Sequence, residues 1–130
     1  MAVQVLVQRE LPLGGVLEGL AGGVAADGGL AVTEVGDDLF EGLKSLTYLK
    51  LDWWFNIRRL PESIFSKTPN LAVLTMNEAS SLEGLPDGIF SSLSNLNTTS
   101  LRSCNLASIP PMSFAAASTS LKIVDLSNNK

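Results

Sequence analysis

Four blocks decide the fold: Leu46-Thr-Tyr-Leu49-Lys-Leu51, Leu71-Ala-Val-Leu74-Thr-Met76, Leu96-Asn-Thr-Thr99-Ser-Leu101 and Leu121-Lys-Ile-Val124-Asp-Leu126. Each opens with a leucine 25 residues after the last, and each has the form leucine, two residues, then two core positions separated by one residue. Self-similarity at a fixed period of roughly 20 to 50 residues marks a solenoid, because such a unit cannot bury its apolar face alone and must stack on a neighbour.

The second half of the unit repeats too. An apolar-x-x-apolar step leads, five residues on, to phenylalanine: Val32 and Val35 to Phe40, Ile57 and Leu60 to Phe65, Leu82 and Leu85 to Phe90, Leu106 and Ile109 to Phe114. Proline follows the step three times, at Pro61, Pro86 and Pro110. In a short strand side chains alternate faces, so Leu49 and Leu51 are expected inside while Tyr48, Lys50 and Asp52 face solvent. Proline has no N–H and a fixed φ, so it ends regular pairing and turns the chain across the core. The phenylalanines then re-enter from the outer side before the next parallel strand, which needs a long crossover of this kind.

These blocks, with the later proline and phenylalanine, resemble the leucine-rich repeat family in its roughly 24-residue form. The resemblance runs from about Val32 to Lys130. It implies an α/β solenoid with short parallel strands on a concave face and turns, 3-10 or short helical segments on the convex side. It also implies an Asn or Cys at one inner position, where Cys104 and Asn129 stand. The first two full units carry five residues between Leu51 and Ile57 and between Met76 and Leu82, against four between Leu101 and Leu106. The extra residue is expected to bulge the turn, with Trp54 or Phe55 in the inner slot. The third unit keeps the period by lengthening its outer arc through Ala115 to Ser120.

The expected core is Leu49, Leu51, Leu74, Met76, Leu101 and Leu126 with Phe65, Phe90 and Phe114. Residues 30–130 read as a half repeat, three full repeats and a partial last one. Residues 1–29 read differently: nine of the 11 glycines lie in the first 42 residues, with no Ser before Ser45 and no Asn before Asn56. Two readings of this degenerate or flexible segment stay open, a decayed first coil with Val24 to Ala26 as a weak strand, or a misread exon or shifted frame. Its glycine pairs make ordering costly in entropy and suit it poorly to capping. The last unit stops after its strand, so a piece of a longer array is expected, with self-association through an uncapped C-terminal edge.

Composition excludes several functions. A net charge of −4 and a single adjacent basic pair, Arg58-Arg59, leave no footprint for nucleic acid. With no His there is no imidazole base or ordinary metal ligand, and one Cys excludes an internal disulfide. Cys104 reads as a small buried hydrophobe, and Asp37-Asp38 as caps of a short helical turn. No run is long and apolar enough to span a membrane, and Arg9-Glu10 interrupt the one apolar stretch a signal peptide would need. The compartment reads as cytoplasmic by default, and extracellular if the chain is a piece of a secreted or receptor array. Asn97-Thr98-Thr99 is a formal glycosylation acceptor set within a strand.

Stacked in register, the outward residues form four columns: Tyr48, Val73, Thr98, Ile123; Lys50, Thr75, Ser100, Asp125; Asp52, Asn77, Arg102, Ser127; and Trp53, Glu78, Ser103, Asn128. Tyr, Trp and Arg are enriched among interface hot spots. The resulting expectation is a protein-binding module without catalysis, metal or cofactor, using Tyr48, Lys50, Asp52, Trp53, Glu78 and Arg102. The alternative is a truncated structural remnant of a receptor or adaptor that binds nothing of its own. Arg102 and Glu78 are also placed to pair with each other across adjacent strands.

Overall fold

The computed structural model describes the strand backbones at residues 7–10, 16–20 and 23–27, and all of residues 36–130. Its strands are β1 (Val7–Glu10), β2 (Val16–Leu20), β3 (Gly23–Asp27), β4 (Tyr48–Lys50), β5 (Val73–Thr75), β6 (Thr98–Ser100) and β7 (Ile123–Asp125). They form one sheet in sequence order. From β3 onward neighbours are parallel, with Tyr48, Val73, Thr98 and Ile123 opposite one another, as are Lys50, Thr75, Ser100 and Asp125. That is the register the 25-residue period demands.

The return arcs repeat as faithfully as the strands. Amide to carbonyl turns close at Leu39 to Gly36, Ile64 to Pro61, Ile89 to Pro86 and Ser113 to Pro110. A second set links Leu43 to Phe40, Thr68 to Phe65, Leu93 to Phe90 and Ala117 to Phe114. Successive turns of this spacing are 3-10 in character, and they become short 3-10 helices at Ile64–Lys67 and Ala115–Ala117. The second of these occupies the lengthened outer arc of the third unit.

Between strands and arcs lies the core. Leu49, Leu74, Leu51, Met76 and Leu101 are buried, as are Phe40, Phe65 and Phe90. The phenylalanines stack in a continuous spine, with ring centroids 6.3 Å apart from Phe40 to Phe65, 6.0 Å from Phe65 to Phe90 and 5.2 Å from Phe90 to Phe114. Two expected core residues differ. Phe114 is half-buried, and Leu126 is 37% exposed because no further coil covers it among the described residues.

Nearer the N-terminus, where the sequence shows no repeat, β1, β2 and β3 form an antiparallel meander whose last strand pairs in parallel with β4. The strand expected at Val24 to Ala26 lies within β3. Val32, Val35 and the glycine pairs at 14 and 28 lie outside the described residues.

Candidate functional site

The strand exits set the geometry of the exposed face. Trp53, Glu78, Ser103 and Asn128 all have positive φ, +68°, +63°, +57° and +60°. Left-handed backbone costs a non-glycine residue roughly 1 to 2 kcal/mol, so a conformation kept in all four coils must be held by its surroundings. The ladder does this: Trp53 donates its N–H to Asn77, Glu78 to Arg102 and Ser103 to Ser127, at 2.8, 2.9 and 3.1 Å. The twist also swings the following residue inward. Trp54, Ala79, Cys104 and Asn129 are thereby one column, the first three buried and Asn129 half-buried.

Trp54 therefore fills the inner slot in the first unit, beside an Ala that leaves it room. Asn129 uses its amide fully: Oδ1 accepts from the amides of Cys104 and Leu106, and Nδ2 donates to the carbonyls of Leu101 and Leu126. The Cys104 thiol donates to the Met76 carbonyl at 2.7 Å. Burial pushes its pKa up, with Coulombic contributions from Glu78 and Asp52 acting the same way, so it is an inert packing group. The extra residue of the first two units is taken up in a turn that closes from Leu82 to Ala79 and from Ile57 to Trp54. The shorter third unit instead needs a second left-handed residue, Asn105 at +61°.

Outside, the sequence-chosen residues fall into two groups. Tyr48 and Trp53 are 43% and 54% exposed, and Trp53 leans on Phe55 with ring centroids 5.7 Å apart. Lys50 is exposed, while Asp52 is largely covered. Asp52 lies 3.7 Å from Lys50 and accepts the Asn77 amide at 2.9 Å, so it does not face solvent as its strand position suggested. The column continues as a chain of hydrogen bonds, with Asn77 Oδ1 accepting from the Ser100 hydroxyl and the Arg102 amide, and Arg102 Nε donating to Ser127 Oγ.

Arg102 pairs with Asp125 at 3.6 Å, not with Glu78. Both arginine and aspartate point outward from neighbouring coils, whereas the left-handed turn carries Glu78 toward the edge. Two hydrogen bonds from Ser127, and then Arg102, hold the Asp125 carboxyl below its ordinary pKa. Asp37, read as a cap, accepts the Ser63 hydroxyl of the next coil. Arg58 and Arg59 both reach Glu83, at 4.0 and 3.2 Å, and so form no free basic patch. The Asn97 acceptor is half-buried, its amide donating to Ser120 and its oxygen accepting from Thr98, while the Thr99 hydroxyl is buried.

No cluster of three or more His, Cys, Asp or Glu that could hold a metal occurs among the described residues. Nor is any helix among them long and apolar enough to cross a membrane.

A repeat of this period, strand register and inner ladder has relatives. Residues 30–130 match the BspA type leucine rich repeat region in six copies. The chain belongs to the BspA-type leucine-rich repeat proteins. The solved leucine-rich repeat domain of APL1B is similar to this leucine-rich repeat chain at 32% identity and a TM-score of 0.63, over 75% of this chain and 28% of that one. The chain thus spans little more than a quarter of that domain. No curated protein matches it. Membership makes the solenoid an interaction-type repeat module, and the left-handed column and the positions of Arg102 and Glu78 are what sequence reasoning missed. A residue type with low αL preference, such as Trp, gives no hint of positive φ.

Proposed function

We propose that this leucine-rich repeat chain binds a protein partner through the concave face of β4 to β7, with Tyr48 and Trp53 as anchors. The observation carrying this reading is that two large aromatic side chains stand about half exposed at one end of the parallel sheet, Tyr48 in β4 and Trp53 in the turn that follows it. They flank polar groups, Lys50, Asp52 and Arg102, already fixed by their own hydrogen bonds and ion pairs. Preorganised polar groups cost little to order on binding, while aromatic anchors supply most of the energy. Lys50, Asp52, Arg102 and Glu78 serve orientation. Exposed Ile123 extends the Tyr48 column across the face.

A photo-crosslinker placed at Tyr48 should capture a discrete species that the same probe at Lys67, on the convex arc, does not. With that species purified, Tyr48→Ala should weaken the complex by about 1 kcal/mol or more, roughly fivefold. Equal loss from Lys67→Ala would exclude the concave face.

A second reading, association between copies of the 130-residue chain, is favoured by the exposed side chains of Ile123 and Val124 in β7 and of Leu126 just after it.

A further inference from the structure

Beside the concave face, on the ridge where the strands turn outward, two columns run in parallel at the 25-residue register. One is Trp53, Glu78, Ser103 and Asn128; the other is Phe55, Ser80, Asn105 and Lys130. A shallow groove of about 290 Å³ lies between them, lined by Glu78, Ser80, Ser103, Asn105, Asn128 and Lys130, with Asn129 also reaching it. In the first coil the same two columns place the Trp53 and Phe55 rings, tilted 54° to each other, at the end of this ridge.

The groove differs from the column next to it in one respect. Asp52, Asn77, Arg102 and Ser127 satisfy one another along the solenoid. The side chains of Glu78, Ser80, Ser103, Asn105 and Asn128 make no hydrogen bond or ion pair among the described residues. These are two hydroxyls and two amides, each both donor and acceptor, with one carboxylate that accepts; Lys130, also lining the groove, donates.

We infer that this ridge groove is a binding site for a neutral oligosaccharide. A sugar ring offers hydroxyls that donate and accept at once around its rim, matching Ser and Asn side chains. Its C–H face suits an exposed aromatic such as Trp53, an apolar body with a polar edge. The chain's net charge of −4 disfavours an anionic ligand. An extended peptide fits less well. It would bind by adding to unpaired strand groups, yet the amides of Glu78 and Ser103 are already spent on Arg102 and Ser127. The residues that line the groove are none of the Trp, Tyr or Arg types that dominate protein hot spots.

The test is a glycan array probed with the whole 130-residue chain, carrying neutral oligosaccharides of glucose, mannose, galactose and N-acetylglucosamine beside sialylated and sulfated ones. A bound neutral glycan is then titrated in solution while tryptophan emission and backbone amide shifts are followed. Because Trp54 is buried, Trp53 should report: emission shifts on binding in the wild type and does not in Trp53→Gly. The amides of Glu78, Ser103, Asn105 and Asn128 should move while that of Lys67 does not. Asn105→Gly with Asn128→Gly should weaken binding tenfold or more, glycine being chosen because both positions need positive φ.

Trp53 is shared with the concave-face reading but Tyr48 belongs to that reading alone, so Tyr48→Ala should leave sugar binding unchanged and failure here and failure of the concave-face reading are separable. Absence of any bound glycan at millimolar concentration would overturn the inference. So would binding confined to anionic glycans, shifts centred away from the groove, or displacement of the sugar by peptides with higher affinity for the same residues.

Discussion

Thr99 is the residue at which the repeat is locally at odds with its surroundings. It occupies the inward column of Leu49, Leu74 and Val124, it is fully buried, and its hydroxyl has no hydrogen-bond partner among the described residues. An unsatisfied buried hydroxyl costs about 1 to 3 kcal/mol. Thr99→Val keeps the shape and removes the hydroxyl, so it should raise stability by about 1 kcal/mol, read as a higher urea midpoint at unchanged slope. Thr99→Ser keeps the hydroxyl and loses a methyl, and should lower stability by roughly 0.8 kcal/mol. A lower midpoint for the Val variant would mean that the hydroxyl is satisfied in solution. The same position shows what a period can convey. Register told that residue 99 is inside, since position in the repeat is independent of side chain, but whether a hydroxyl there finds a partner depends on atoms of adjacent coils.

At the scale of elements, strands and phenylalanine arcs contribute unequally. Phe90 is sandwiched between Phe65 and Phe114 in the stacked spine and is 2% exposed. Phe90→Ala should cost about 3 to 5 kcal/mol, a large share of the stability of a small domain. Phe114 has a ring neighbour on one side only and is half-buried, so Phe114→Ala should cost clearly less. Equal midpoints for the two in urea denaturation would show that the spine does not carry the arcs. The columns and the inward phenylalanines were legible because each follows from spacing, whereas spacing narrowed the inner slot to Trp54 or Phe55 without choosing between them. Less visible was the left-handed turn at Trp53, Glu78, Ser103 and Asn128, where four dissimilar side chains share one backbone state. That state displaced Glu78 from Arg102 and turned it into the ridge. Strands β1 and β2 were hidden for another reason: β3 pairs with β4 at the same offset of 25 residues, Val24 opposite Leu49, but the antiparallel pair before it lies outside the repeat, so nothing in the period reports its pairing.

For the whole molecule, stability is close to a sum of coils and their interfaces, which makes an exposed coil face the place where chains meet. Leu51, Met76 and Leu101 each donate an amide N–H to the next strand, to Thr75, Ser100 and Asp125. Leu126 is the following member of that series, and beside it Val124 and Ile123 are 41% and 57% exposed. A strand with apolar side chains and unspent backbone groups pairs readily with another chain. In solution the 130-residue chain should therefore associate as concentration rises, with the amides from Leu121 to Leu126 gaining hydrogen-exchange protection in the associated form. Val124→Lys places a charge on that strand, the common natural defence of exposed edges, and should keep the chain monomeric while leaving the Phe spine and the ridge groove intact. Sedimentation velocity from micromolar to several hundred micromolar decides the matter. A wild-type chain that stays monomeric throughout would refute the association, and a Val124→Lys variant that still associates would move the contact away from β7, with the concave column of Tyr48 the next surface to test.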